Sequence, residues 1–247
     1  MPASDARPYA GLVWRLVEDQ GRPATMRLVD SLEEQALLEA VLEQSKPALP
    51  KPGAHLHYLL ATPFRYPPSR HGSRFRRPFA LHGCFYAAEQ VETAAIETGF
   101  WQLLFLADAP GLPWPIRALE RRAFAAEVAT DRALDLTAPP LDARRASWTH
   151  PTDYAPCQDF AEEARAAGIL ALRYESVRDP ARRANIALLD CAAFAAPEPQ
   201  AQQSWWIFPR PHALQAWCEA PRIRIEIPLT DFAADPRIAT RLSSPEG

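Results

Sequence analysis

Glycine is scarce in this sequence, with nine residues against 26 prolines. A glycine-rich phosphate cradle is accordingly missing: neither GxGxxG nor GxxxxGK[ST] occurs, and HExxH and GxSxG are absent too. That disfavours a Rossmann-type dehydrogenase, a P-loop ATPase, a zinc protease and an α/β-hydrolase. The proline excess favours stiff connecting segments over flexible ones. Cysteine is limited to Cys84, Cys157, Cys191 and Cys218, scattered and without a CxxC pair. This gives neither a disulfide framework nor a zinc site. His55 and His57 stand two apart, as ligands on one face of a strand would, but no carboxylate or cysteine is near them in sequence, and no metal is expected. Basic charge is not in excess either. The formal net charge of -3 gives no general pull toward nucleic acid or an anionic membrane. No apolar run is long enough to span a bilayer, and the first residues lack a basic start with an apolar core, so a cytoplasmic location is expected.

What is present is an ordinary globular composition, 48% hydrophobic and 23% charged over 247 residues. The patterning predicts a mixed α and β chain, and residues 1–247 read as a single domain. A strand is expected over Leu12–Val17. Ser31 and Glu34 form a capping-box pattern before an apolar stripe at helical spacing. The proline-rich run 46–53 reads as a rigid linker, and proline limits the run from Thr62 to Pro68 to an edge or a turn. A strand is expected from Leu81 to Ala87 and a helix from Val91. Residues 117–132 read as helical or mixed, with a strand over Ala123–Val128 equally open. A helix after Tyr154, with Gly168 as its C-cap, precedes a strand ending just before Ser176. Further strands are expected at Asn185–Leu189, Trp205–Phe208 and Ile223–Ile227.

Arg74 follows the turn Gly72-Ser73, Tyr86 ends the expected strand, and Glu97 lies on the expected helix, so three consecutive elements can bring the three side chains into one cleft. Arginine grips phosphate or carboxylate with a planar fork. Tyrosine offers a ring for stacking and a hydroxyl. A carboxylate stabilises a developing oxocarbenium ion. The set suits a dinucleotide with a breakable glycosidic bond. On spacing alone the plain structural alternative stays open, in which Arg74 caps a turn, Tyr86 is core and Glu97 faces water. Arg65 is a second candidate for gripping phosphate, with a structural ion pair as its alternative. Arg70, Arg74, Arg76 and Arg77 form a basic knot that reads either as a solvated loop or as an anion-binding rim. On a helix, Glu97 shares a face with Thr93, Ala94 and Trp101. Glu89 and Glu92 are read as serving the helix dipole.

The pieces Gly72-Ser73-Arg74-Phe75, Phe85-Tyr86-Ala87-Ala88 and Thr93-Ala94-Ala95-Ile96-Glu97, followed by Gly168 to Arg178, resemble the RES domain family, the toxin halves of RES–Xre toxin–antitoxin pairs. The similarity covers roughly residues 60–195, with an N-terminal extension over 1–59 and C-terminal strands over 196–247. The resemblance implies an α+β fold, a bent mixed sheet like that of ADP-ribosyltransferase toxins. It implies an NAD-degrading toxin that cleaves the nicotinamide–ribose bond with phosphate or water as acceptor. NAD is then a substrate, and no cofactor or metal is needed. Arg74, with Arg65 as a second candidate, would hold the pyrophosphate, Tyr86 the nicotinamide end, Glu97 the ribose, and Ser176 a ribose or phosphate oxygen. An Xre-type helix-turn-helix antitoxin is the implied partner; DNA contact would fall to that partner, and homodimerisation is compatible with the reading. A non-enzymatic module binding a phosphate ligand or a partner, or a protein ADP-ribosyltransferase, are the alternatives.

Overall fold

A computed structural model describes residues 2–18, 29–45, 47, 51–65, 70–109 and 111–242. Eight strands form one mixed sheet: β1 (Arg7–Glu18), β2 (Phe85–Ala88), β3 (Leu119–Asp135), β4 (Ala171–Glu175), β5 (Ala184–Leu188), β6 (Ala201–Pro209), β7 (Ala213–Cys218) and β8 (Ile223–Pro228). Six α-helices accompany them: α1 (Leu32–Ser45), α2 (Tyr58–Arg65), α3 (Val91–Asp108), α4 (Arg145–Trp148), α5 (Ala155–Ala166) and α6 (Pro236–Leu242). The α+β class and the mixed sheet agree with the expectation from the sequence. Among the described residues, only the β3–β4 pairing is parallel.

β3 is the spine. Along most of its length it pairs with β1, from Ala133 opposite Arg7 to Arg121 opposite Glu18. Its first half also pairs with β6, and its last residues with β4. β1 in turn touches β2 at a single register pair, Trp14 opposite Ala88. The pairings β1–β2–β5–β4–β3–β1 therefore close a ring, from which β6, β7 and β8 extend.

Alternation across the strands sorts the core. Phe124, Ala126 and Val128 of β3 join Phe85, Ile186 and Leu188 on one side, where α2 packs. Ala123 points the other way, toward Ala95, Phe100 and Leu103 of α3. Leu134, Leu172 and Ala187 meet Phe160 and Ala164 of α5. So α3 and α5 both pack on the side of the sheet opposite α2.

Several local expectations are corrected. β3 is a strand along the whole of Leu119–Asp135, so the helical reading of 117–132 fails. Its alanines and arginines are good helix formers, but pairing on both edges and burial of its centre override propensity. The strand expected from Leu81 begins only at Phe85, and Leu81 is 88% exposed. Thr62 to Arg65 belong to helix α2 despite Pro63, which sits in its last turn; Tyr66–Pro68 and residues 46 and 48–50 of the linker lie outside the described residues. β7 was not anticipated. The capping signal at Ser31 holds: its Oγ accepts from Glu34 N at 3.1 Å, and Glu34 reaches back to Asp30 N at 2.9 Å. Gly168 has φ +72°, the left-handed conformation a helix C-cap needs. His57 caps the start of α2, with Nδ1 accepting from Leu59 N at 3.2 Å. Among the described residues, no helix is long and apolar enough to cross a membrane.

Candidate active site

α3 begins directly after β2, so the residues facing the sheet near its start sit above β2 and β5. Ala94, Glu97, Thr98 and Trp101 form one wall of a cavity of about 310 Å³. Ser73, Arg74 and Tyr86 form another wall, and Tyr154, Tyr174 and Asn185 close it from the side of α5, β4 and β5. Three elements thus meet in one hollow, as their order along the chain suggested. The volume lies at the small end of the range for small-molecule sites.

Glu97 is fixed by its Oε1 alone. Ser176 Oγ donates to that oxygen at 2.6 Å and Asn185 Nδ2 donates to it at 2.7 Å. Oε2 has no hydrogen-bond partner among the described residues. Asn185 is the second residue of β5, is 3% exposed, and leaves its own Oδ1 buried without a partner among the described residues. Ser176, one residue past the end of β4, is 1% exposed. Its Oγ also accepts from Arg178 N at 3.3 Å and Asp179 N at 3.0 Å. It is therefore a relay from the following loop to the carboxylate, and it does not line the cavity that holds Glu97. Thr93, grouped with Glu97 by helical spacing, is fully buried and donates instead to Asp179 Oδ2 at 2.7 Å.

Tyr86 is locked by its hydroxyl. Oη shares a hydrogen bond of 2.8 Å with Ser73 Oγ and accepts from Phe75 N at 2.9 Å. The turn at Gly72-Ser73 is thereby tied to β2. Burial pushes the Tyr86 phenol well above its ordinary pKa. Tyr174 is raised in the same way, first by burial and next by the charge of Glu97, while Arg74 opposes the shift.

Arg74 lines the cavity but is 8% exposed and partly engaged. Nη1 donates to Trp148 O at 2.7 Å, Nη2 to His150 O at 3.0 Å, and the guanidinium lies 4.7 Å from the ring centroid of Tyr154. The rest of the basic knot, Arg70, Arg76 and Arg77, does not line the cavity; Arg77 pairs with Asp159, and Arg70 donates to His71 Nε2 at 2.9 Å. Arg65 ends α2, donates to Pro47 O at 2.6 Å and is no part of the cavity wall. Glu89 does not serve the α3 dipole, because Arg173 holds it at 2.7 Å.

Several wall residues escaped the sequence reading as site residues, among them Asn185, Tyr174 and Arg178. Another is Arg15, on β1, whose Nη1 donates to Tyr86 O at 3.0 Å and whose guanidinium lies 5.1 Å from the Phe85 ring centroid. Burial depresses its pKa, and no carboxylate is paired with it among the described residues. A lone cation in the apolar run from Leu12 to Val17 was the available signal.

The RES domain matches residues 49–209 of this sequence, about two-thirds of the chain. The chain belongs to the RES domain family. No curated protein matches it in sequence. Among solved structures, the crystal structure of the M. tuberculosis MbcT–MbcA toxin–antitoxin complex contains a similar chain, with a TM-score of 0.43 and 13% identity over 95% of this chain and 92% of that one. The RES match takes in Arg74, Tyr86, Glu97, Ser176 and Asn185. It leaves β1 with Arg15 on one side, and β7, β8 and α6 on the other.

Proposed function

We propose that this chain cleaves the bond between nicotinamide and ribose in NAD and is the toxin of a toxin–antitoxin pair. The observation that carries the reading is the state of Glu97. Its Oε1 is immobilised by two donors, and its Oε2 is left without a partner among the described residues, beside a cavity lined by Arg15, Arg74 and Arg178, of which Arg178 is paired with Asp235. A carboxylate oriented in this way is suited to a cationic transition state, because its position is fixed before the charge appears.

The chemistry balances simply. The bond between ribose C1 and the pyridinium nitrogen breaks, and its electron pair goes to the ring. Nicotinamide leaves neutral and needs no general acid. Glu97 stabilises the positive charge growing on the ribose. An oxygen of water or phosphate then bonds C1, giving ADP-ribose or its 1-phosphate, and any proton it releases goes to solvent. Arg15 and Arg74 attract the pyrophosphate, because Arg15 lacks a counter-charge and a buried cation without one is costly. Tyr86 offers the ligand a ring face, its hydroxyl being occupied by Ser73 and Phe75. Ser176 acts on Glu97 and not on the substrate. Arg65 has no part.

An Xre-type antitoxin would find apolar surface on α3. Trp101, at the cavity, is 49% exposed, and Phe105, one turn on, is 62% exposed. The test is the purified chain mixed with NAD, with nicotinamide release followed directly and the sugar product identified. Glu97→Gln should keep the fold and lose about 10²–10³ of the rate. Undiminished turnover in that variant rules the reading out. Label from NAD appearing on a protein points instead to an ADP-ribosyltransferase.

A further inference from the structure

The residues C-terminal to the RES match reach back to the Glu97 site. After β8 the chain forms a short 3-10 turn over Leu229–Phe232, then α6. Phe232 packs on Phe100 with ring centroids 5.7 Å apart. Phe100 is fully buried on α3, one helical turn beyond Glu97. On its ring, 3.9 Å from the centroid, lies the guanidinium of Arg178. Arg178 Nη2 is 3.0 Å from Asp235 Oδ2, the side chains being 6% and 0% exposed. The backbone N–H of Arg178 is one of the two that hold Ser176 Oγ.

We propose that Asp235 is a positioning residue for Glu97: by clamping Arg178 against Phe100 it fixes the loop from Ser176 to Asp179, whose serine sets the carboxylate. The clamp joins the two elements that carry Glu97 and its donor, α3 and the end of β4, through a segment outside the RES match. Its catalytic consequence rests on the NAD reading above, but its structural part does not.

Asp235 also has an ordinary task. Oδ1 accepts from Arg237 N at 3.1 Å and so caps α6, and it also takes Arg237 Nε at 2.9 Å; Oδ2 takes Arg178 and, at 2.7 Å, Arg237 Nη2. The cap needs only an acceptor, whereas Arg178 needs the charge. Asn and Ser are both good caps. Asp235→Asn and Asp235→Ser therefore keep the helix start and remove the anion that Arg178 needs.

Two measurements on the full chain decide it. Amide exchange at Arg178 and Asp179 should quicken about tenfold or more in both variants, with Leu172 and Ile186 unchanged. Nicotinamide release should fall about tenfold in kcat with KM little changed, and adding Glu97→Gln should cost less than the two separate losses multiplied. A merely structural role would move thermal stability without this kcat-only loss or this coupling. Unchanged exchange in folded variants overturns the clamp, whatever the activity. Quickened exchange with full turnover overturns its role in catalysis. Failure of the unmodified chain to release nicotinamide refutes the NAD reading and with it the catalytic half of this proposal; exchange then decides the clamp alone.

Discussion

Ser176→Ala probes the relay more sharply than any other change. The hydroxyl gives its proton to Glu97 Oε1 at 2.6 Å and accepts two backbone N–H groups. A hydrogen bond to a charged group contributes about 1.5–3 kcal/mol. If that stabilisation serves only to orient Glu97 in the transition state, its loss lowers kcat by about 10- to 150-fold, at roughly 1.4 kcal/mol per decade. KM should stay within about threefold, because a group acting only in the transition state changes kcat and kcat/KM together. The two orphaned N–H groups should also cost about 1–3 kcal/mol of stability, read as a lower urea midpoint. The assay is initial-rate nicotinamide release over a range of NAD concentrations, beside a urea titration. A serine that gripped ribose or phosphate directly would instead raise KM sharply. A rise in KM with kcat intact, or no effect at all, refutes the relay.

Arg15→Gln should raise KM for NAD about tenfold or more, since a charged hydrogen-bonding partner of the pyrophosphate is lost, while the unliganded protein should melt no lower than the parent. A clear loss of thermal stability would mean that Arg15 is structural. Gly83→Ala tests the packing of β2 on α2. A Cβ there would meet Pro63 O and the backbone at Phe64, neither of which is a flexible side-chain end. The change should cost about 1–3 kcal/mol or more, visible as a lower urea midpoint; a neutral result would mean that α2 is free to shift. Asp235 supplies a pH dependence. Burial works against its charge, but the hydrogen bonds from Arg237 and the charge of Arg178 outweigh it and hold the carboxyl below its ordinary value. The unfolded chain then binds the proton more readily. The stabilisation is complete above about pH 4 and is lost as pH falls through the lower folded value. The gap in urea midpoint between the parent and Asp235→Asn should accordingly narrow below about pH 4, and a constant gap would contradict the charged clamp.

Legibility followed the range of the forces involved. α1 and α3 could be read because caps and helical spacing are local signals, and β8 because Ile223, Ile225 and Ile227 alternate. The strand β3 could not, because what makes it a strand is its pairing with β1 and β6, distant in sequence. The site divides the same way. Arg74, Tyr86 and Glu97 sit within one stretch whose element order brings them together. Arg15 and Asn185 arrive from β1 and β5, and neither stands in a motif whose chemistry shows by itself. Ser176 was located, but its partner was not, because a hydroxyl gives no sign in the sequence of where its proton goes. The basic knot misled for a related reason: the acidic partner of Arg77 is Asp159, a remote residue.

The β1–β3 pairing sets an order of assembly. On a ribosome β1 emerges first, yet the strand it lies against runs from Leu119 to Asp135. Until that strand follows, Trp14 and Arg15 lack the neighbour that seats them, and the hollow has no wall on their side. If the chain cleaves NAD as proposed, that activity must wait until β3 has been made, a delay built into the order of the elements.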